Sequence, residues 1–205
     1  MKLYYSPGAC SMSPNIVAHE AGIKIDLEKV DLASKKTETG ADFKAINPKG
    51  SVPCLQLDNG QVLTEGPAIV QYLADLAPNS KLAPANGTFE RVRLQETLNY
   101  ITSELHKAMG GLFNKKMPED FRAVVKDMIA ARCDFISTQL KGKQFLMGDQ
   151  FTVADAYLFT VLGWAPMVGV DLSKWTEITG YQARVAARPA VQEAMKSEGL
   201  LNKAA

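Results

Sequence analysis

At 205 residues the chain is long enough for one or two domains of roughly 150 residues each. Hydrophobic residues make up 46% and charged residues 22%, which excludes a disordered or collagen-like chain, and 23 Lys plus Arg against 22 Asp plus Glu leave no basic excess for a nucleic-acid backbone. No segment approaches 18 continuous apolar residues, and the opening MKLYYSPGACS is broken by Ser6, Pro7 and Gly8, so a cytosolic protein with neither nucleic-acid nor membrane partners is expected.

Lys2 to Tyr5 reads as a short strand ended by Pro7 and Gly8, and Ser11 to Ala21 as a helix stopped by Gly22. Ile25, Leu27 and Leu32 recur at a period near two, which fits a second strand, and a strand-helix-strand crossover suggests a parallel pair. A polar loop through Lys35, Lys36 and Gly40 follows. Ser51 to Leu57 is a strand interrupted by Pro53, and Asn59-Gly60 turns it into Val62-Leu63 as an antiparallel hairpin. From Glu65 onward Ala68, Ile69, Tyr72, Leu73 and Leu76 form a helical stripe. Residues 1–77 therefore sum to βαβ-ββα.

Residues 78–88 have the composition of an exposed linker, and beyond them the pattern is helical to residue 205. Leu94, Leu98, Ile101 and Leu105 recur at i, i+4, i+7 and i+11, and Phe121, Val125, Met128, Phe135 and Ile136 continue the theme. Asn99, Ser103 and His106 share a different face of the first of these helices. Thr152 and Asp155 ahead of an apolar run form a capping box.

Three cysteines without CxxC spacing make neither a disulfide framework nor a zinc site, and the two histidines, His19 and His106, lack a cysteine at ligand spacing, so no metal is expected. Cys54 and Cys133 lie within apolar patterns and read as core filler. Cys10 differs: it sits where a strand gives way to a helix start, whose bare N–H groups and dipole favour thiolate, so its pKa is expected to fall below about 8.5. Ser13 stands where a dithiol motif would place its second cysteine, so Cys10 would need an external thiol to complete a redox cycle.

Four stretches, PGACS around Cys10, Val52-Pro53-Cys54-Leu55, TEGPAIVQYL and FTVADAYLF, occur in the order and spacing of the glutathione S-transferases, and the chain resembles the bacterial beta class along essentially its whole length. The resemblance implies an α+β thioredoxin-like N-terminal domain followed by an all-α C-terminal domain. It also implies a homodimer that uses glutathione as co-substrate, with no prosthetic group, and attacks small hydrophobic electrophiles.

By the same resemblance Pro53 matches a cis-proline that lets Val52 pair its backbone with the tripeptide as an added strand would. Glu65 and Gly66 open a helix suited to the γ-glutamyl end; many relatives carry Ser at the latter position. Lys35, with Lys36 as competitor, would meet the glycine carboxylate. Ser103, His106 and Lys107 fall near the glutathione sulfur, and Asn99 and Glu104 where the neighbouring subunit reaches the ligand. Cys10, His106 and Ser11 are the catalytic candidates, with Tyr5 a further hydroxyl. Phe113, Tyr157 and Trp164 either wall the second-substrate site or pack in the core. A cysteine at position 10 also allows thiol redox or reductive dehalogenation beside conjugation, and two rivals use the same scaffold: a glutaredoxin-like glutathione-dependent reductase and a non-catalytic ligand-binding or interaction protein.

Overall fold

A computed structural model describes residues 1–201; residues 202–205, assigned above to the second domain, lie outside the described residues. The chain divides into two compact units, one formed by residues 1–83 with the chain from Ala187 onward, the other by Pro84–Ala186.

In the first unit a five-stranded sheet has the order β3-β2-β1-β4-β5, with β1 Lys2–Tyr5, β2 Asp26–Asp31, β3 Lys36–Thr37, β4 Cys54–Gln56 and β5 Val62–Thr64. β1 and β2 are parallel, as the crossover through α1 (Met12–Ala21) requires, and the other pairs are antiparallel. Strand alternation separates the two faces of β1 and β4. Tyr4 and Cys54 join Val30, Val52 and Phe43 in one buried cluster, while the paired Leu3 and Leu55 lie on the opposite side, where buried Ile16, Val17, Ile69, Val70 and Leu73 of α1 and α3 (Gly66–Leu76) supply apolar surface.

Two elements lack a sequence signal strong enough to be predicted. β3 pairs only two residues, and α2 (Phe43–Ile46) is a single turn, capped by Asp42 and held by Phe43, whose ring packs tilted against Tyr4 with centroids 5.5 Å apart. Both arise from tertiary contacts, since neither is long enough to show a period.

The second unit is helical. α4 (Phe89–Tyr100) continues through a π-helical turn, Ile101–His106, into α5 (Lys107–Leu112), and α6 (Glu119–Leu140), α7 (Val153–Leu162) and α8 (Thr176–Ala186) complete it. The Leu94, Leu98, Ile101 and Leu105 stripe is buried as predicted. On α6 the apolar pattern splits between two faces. Val125, Ile129, Cys133, Ile136 and Leu140 are buried, whereas Phe121, Val124, Met128 and Phe135 are exposed, so Phe121, Met128 and Phe135 are not core residues of this chain.

The last helix departs from the predicted domain plan. α9 (Pro189–Ser197) packs on α1, with Arg188 forked onto Glu20 at 2.6 and 2.8 Å and Asn15 donating to Ser197 Oγ at 3.0 Å. The helical unit accordingly closes at Ala186 instead of running to residue 205, because the apolar face of α9 is satisfied by the first unit. The front boundary at Pro84 falls inside the predicted linker.

Candidate functional site

In the first unit, three separate segments meet around one sulfur. The turn Pro7–Ser11 between β1 and α1 presents Cys10, whose Sγ donates to Val52 O at 3.1 Å. Val52 precedes Pro53 across a cis peptide bond, in agreement with the resemblance. At the start of α3, Glu65 has φ +70°, a left-handed conformation unusual for a non-glycine, and its charge raises the Cys10 pKa. Buried Gly66 follows as the first residue of the helix, where an N–H has no acceptor within the helix.

The ionisation state of Cys10 is opposite to expectation. Burial pushes its thiol up to about 11, and the N–H groups of Cys10 and Ser11, which pull the other way, are outweighed. Helix-start donors stabilise a thiolate only when they outweigh its loss of water, and here they do not. The bond to Val52 O is consistent, since a carbonyl accepts from an S–H and repels a thiolate.

Ser11, a catalytic candidate above, is fully buried: its hydroxyl accepts from Ser6 N–H at 3.1 Å and donates to Ser6 O at 3.2 Å. It is the latch of the turn and does not present a hydroxyl to a ligand. Tyr5 is buried as well, and burial keeps its phenol protonated.

Lys35 and Lys36 diverge. Lys35, in a left-handed conformation with φ +58°, turns its Nζ onto Gly50 O at 2.9 Å, two residues ahead of Val52, while Lys36 is an exposed β3 residue. Lys49, unmarked in the sequence reading, donates to Glu65 Oε1 at 2.5 Å and to Thr64 Oγ1 at 2.9 Å. Both partners are exposed, so solvent screens the pair and it is worth at most about 1 kcal/mol. No local pattern marks Lys49, since it comes within reach of Glu65 only through the hairpin.

In the second unit His106 is the centre of an aromatic group. Its Nδ1 lies 2.5 Å from Tyr157 Oη, and its ring meets Trp164 edge-on at 4.9 Å; Trp164 in turn meets Phe113 at 6.0 Å. Tyr157 is 1% exposed and Trp164 6%, while Phe113 is 48% exposed, so of the three wall candidates only Phe113 offers substantial open surface. Tyr157 serves as the partner of His106. The π-helical turn ends at His106, and such turns shift the phase of every side chain that follows. Ser103 Oγ bonds back to Asn99 O at 3.0 Å, Glu104 is held by Arg132 at 2.7 and 2.9 Å, and Asn99, Ser103 and Lys107 are exposed.

Comparison with known proteins fits this arrangement. The family described as glutathione S-transferase, N-terminal domain, matches residues 8–76, and glutathione S-transferase, C-terminal domain, matches residues 101–189. The chain belongs to the glutathione S-transferases. It is 44% identical to the glutathione S-transferase GstA of Escherichia coli O157:H7, over 98% of this chain and 100% of that protein. Among solved structures it is similar to BphK, a bacterial transferase in a ternary complex, at 54% identity with a TM-score of 0.96, covering 98% of this chain and 100% of that one. It is similar also to the bacterial beta-class enzyme of Sphingomonas chungbukensis, at 44% identity with a TM-score of 0.95 and coverage of 98% and 100%. Glutathione is accordingly the co-substrate of this transferase. Among the described residues no helix is long and apolar enough to cross a membrane, and no group of three His, Cys, Asp or Glu side chains is placed to hold a metal ion.

Proposed function

We propose that this transferase conjugates the thiolate of glutathione to small hydrophobic electrophiles, with Cys10 acting as a neutral donor. The observation that supports this reading is the Cys10 Sγ contact with Val52 O. A sulfur with a pKa near 11 is a poor nucleophile at neutral pH, yet its S–H can turn from the Val52 carbonyl to an incoming thiolate and lower that thiol's pKa. Val52 pairs its backbone with the tripeptide, Glu65 takes the γ-glutamyl ammonium in exchange for Lys49, and Gly66 N–H meets its carboxylate. Lys35 is favoured over Lys36 for the glycine carboxylate because its ammonium already lies against the Gly50 segment. Calorimetry with reduced glutathione, followed by turnover of an aryl halide, tests the reading: failure to bind glutathione in a folded sample sinks it.

In the helical unit His106 is the functional group we assign, with Ser103 and Lys107 beside it in the chain and Phe113 as the exposed apolar surface. We assign the Tyr157 hydroxyl as the donor to Nδ1, which puts the imidazole proton on Nε2 and makes that nitrogen the donor. Tyr157→Phe is expected to lower kcat about tenfold and to change KM for the electrophile less than about twofold, read by steady-state kinetics. An unchanged kcat would show that Tyr157 only packs.

The protein is proposed to act as a homodimer in which Asn99 and Glu104 serve the neighbouring subunit. The exposed Phe121, Val124, Met128 and Phe135 lie at i, i+3, i+7 and i+14, one apolar stripe along α6 of the kind that marks an interface. Met128→Glu places a charge in the middle of that stripe. Sedimentation velocity is expected to show a monomer for the variant and a dimer for the parent protein.

A further inference from the structure

The chain end of the first unit returns to the cysteine turn. After α9, Gly199 adopts φ +73° and Leu200 N–H closes on Met195 O at 2.9 Å, a tight reversal that buries the side chain of Glu198. Glu198 Oε2 accepts from Gly8 N–H at 2.9 Å, and Oε1 accepts from Asn15 Nδ2 at 3.1 Å. Gly8 lies in the turn before Cys10 and Asn15 in the helix after it, so one carboxylate bridges both sides of the sulfur.

Two further facts set Glu198 apart from a routine helix-end residue. Burial pushes its carboxyl up to about 7, although the bonds from Gly8 and Asn15 pull it down. A carboxyl raised above its usual 4.5 gives full stability below that value and loses it as the pH rises through about 7, so the ionised side chain costs stability at neutral pH. Asn15 Oδ1 is moreover a buried acceptor without a partner among the described residues, while its Nδ2 is committed to Glu198 Oε1 and Ser197 Oγ. The titratable groups that feel the Glu198 charge are Tyr5 on β1 and Cys10 itself. The other charged side chains of the two helices pair elsewhere: Glu20 with Arg188, Glu193 with Lys196, and His19 acts on Glu193. A residue that violates local economy in this way points to a site.

We propose that Glu198 is a positioning residue for the sulfur site, fixing the Pro7–Ser11 turn and the aim of Cys10 through Gly8 and Asn15. The inference deepens the proposed function and rests on its placing of Cys10 beside glutathione.

The test measures alkylation of Cys10 by iodoacetamide, located by peptide mass, from about pH 5 to about pH 9 in the parent protein, Glu198→Gln and Glu198→Ala. Melting temperature and calorimetric glutathione affinity are read on the same samples. In the parent protein the rate bends near pH 7, where Glu198 titrates, ahead of the rise due to the thiol. Glu198→Gln keeps an acceptor for Gly8 and removes the ionisable group; it melts higher at about pH 8, melts alike at about pH 5, and shows no bend. Glu198→Ala frees the turn, and Cys10 reacts about tenfold faster at neutral pH. If the alanine variant does not fold, the glutamine variant carries the test.

Superimposable alkylation profiles overturn the proposal, including the case in which the melting temperatures shift and Cys10 reactivity does not. Glutathione binding by the parent protein with no change in profile overturns the positioning role alone. The expected profiles without glutathione binding uphold the positioning of Cys10 and remove the glutathione reading instead.

Discussion

Replacing Asp155 by Ala is expected to cost the protein about 3–4 kcal/mol, the largest stability loss among the substitutions considered. Asp155 is fully buried and its carboxylate accepts four bonds: Thr152 N–H at 2.8 Å, Thr152 Oγ1 at 3.0 Å, Leu146 N–H at 2.9 Å and Tyr181 Oη at 3.2 Å. The two hydroxyls can turn, and Tyr181 keeps its bond to the backbone carbonyl of residue 155 at 3.0 Å. The two buried N–H groups cannot, and each costs about 1–3 kcal/mol when orphaned. In a chain of this size that loss lowers the melting temperature by roughly 6–16 °C, checked by calorimetry.

The pH dependence of the effect has a definite sign. Burial pushes Asp155 up to about 6, so in the native state its ionised form is disfavoured relative to the unfolded chain. Its contribution is complete below the ordinary value of 3.8 and diminishes as the pH rises through 6. The gap between the parent protein and Asp155→Ala therefore widens by about 1 kcal/mol between about pH 7 and about pH 5. A gap that narrows in that window would refute the assignment of burial as the dominant cause.

Cys10→Ala separates the chemistries open to this site. With a thiol pKa near 11, about one sulfur in ten thousand is ionised at neutral pH, so a mixed disulfide with oxidised glutathione forms slowly in the parent protein. Its rate rises about tenfold per pH unit below the pKa. The variant forms none, because Cys54 and Cys133 are completely buried, with thiols pushed up to about 11 and about 12. Conjugation in the variant falls about tenfold, the worth of one S–H donor to a charged acceptor, and is not abolished. Intact mass and aryl-halide kinetics read the two outcomes. Loss of conjugation beyond about a thousandfold would instead make the Cys10 sulfur the nucleophile, which favours the reductase reading.

How far the sequence reaches follows the range of the interactions involved. The α4 stripe, the parallel β1–β2 pair, the Asn59-Gly60 hairpin and the Thr152–Asp155 capping box all depend on residues a few positions apart, and all are present. Periodicity reports that a face is apolar and leaves open what covers it. Hence Phe121, Met128 and Phe135 continue the α6 pattern and are exposed, while Tyr157, offered as a pocket wall, is buried against His106. The π-helical turn at Ile101–His106 leaves no trace in a spacing of three and four, because it is set by the packing of the whole helix.

The sequence by itself determined the order of the longer elements, with strands and helices mixed to residue 77 and helices alone after the linker, and the residues that can do thiol chemistry, since short-range pattern and resemblance suffice for those. Only the tertiary structure decided that Cys10 is a thiol, that Ser11 is a latch, that Lys49 sits on Glu65, and that α9 closes back on α1 to bring Glu198 to Gly8. The reason is the same in each case. Solvent exposure and the identity of a partner are properties of distant chain segments brought together, and the pKa of a sulfur or carboxyl follows exposure more steeply than it follows its neighbours in sequence.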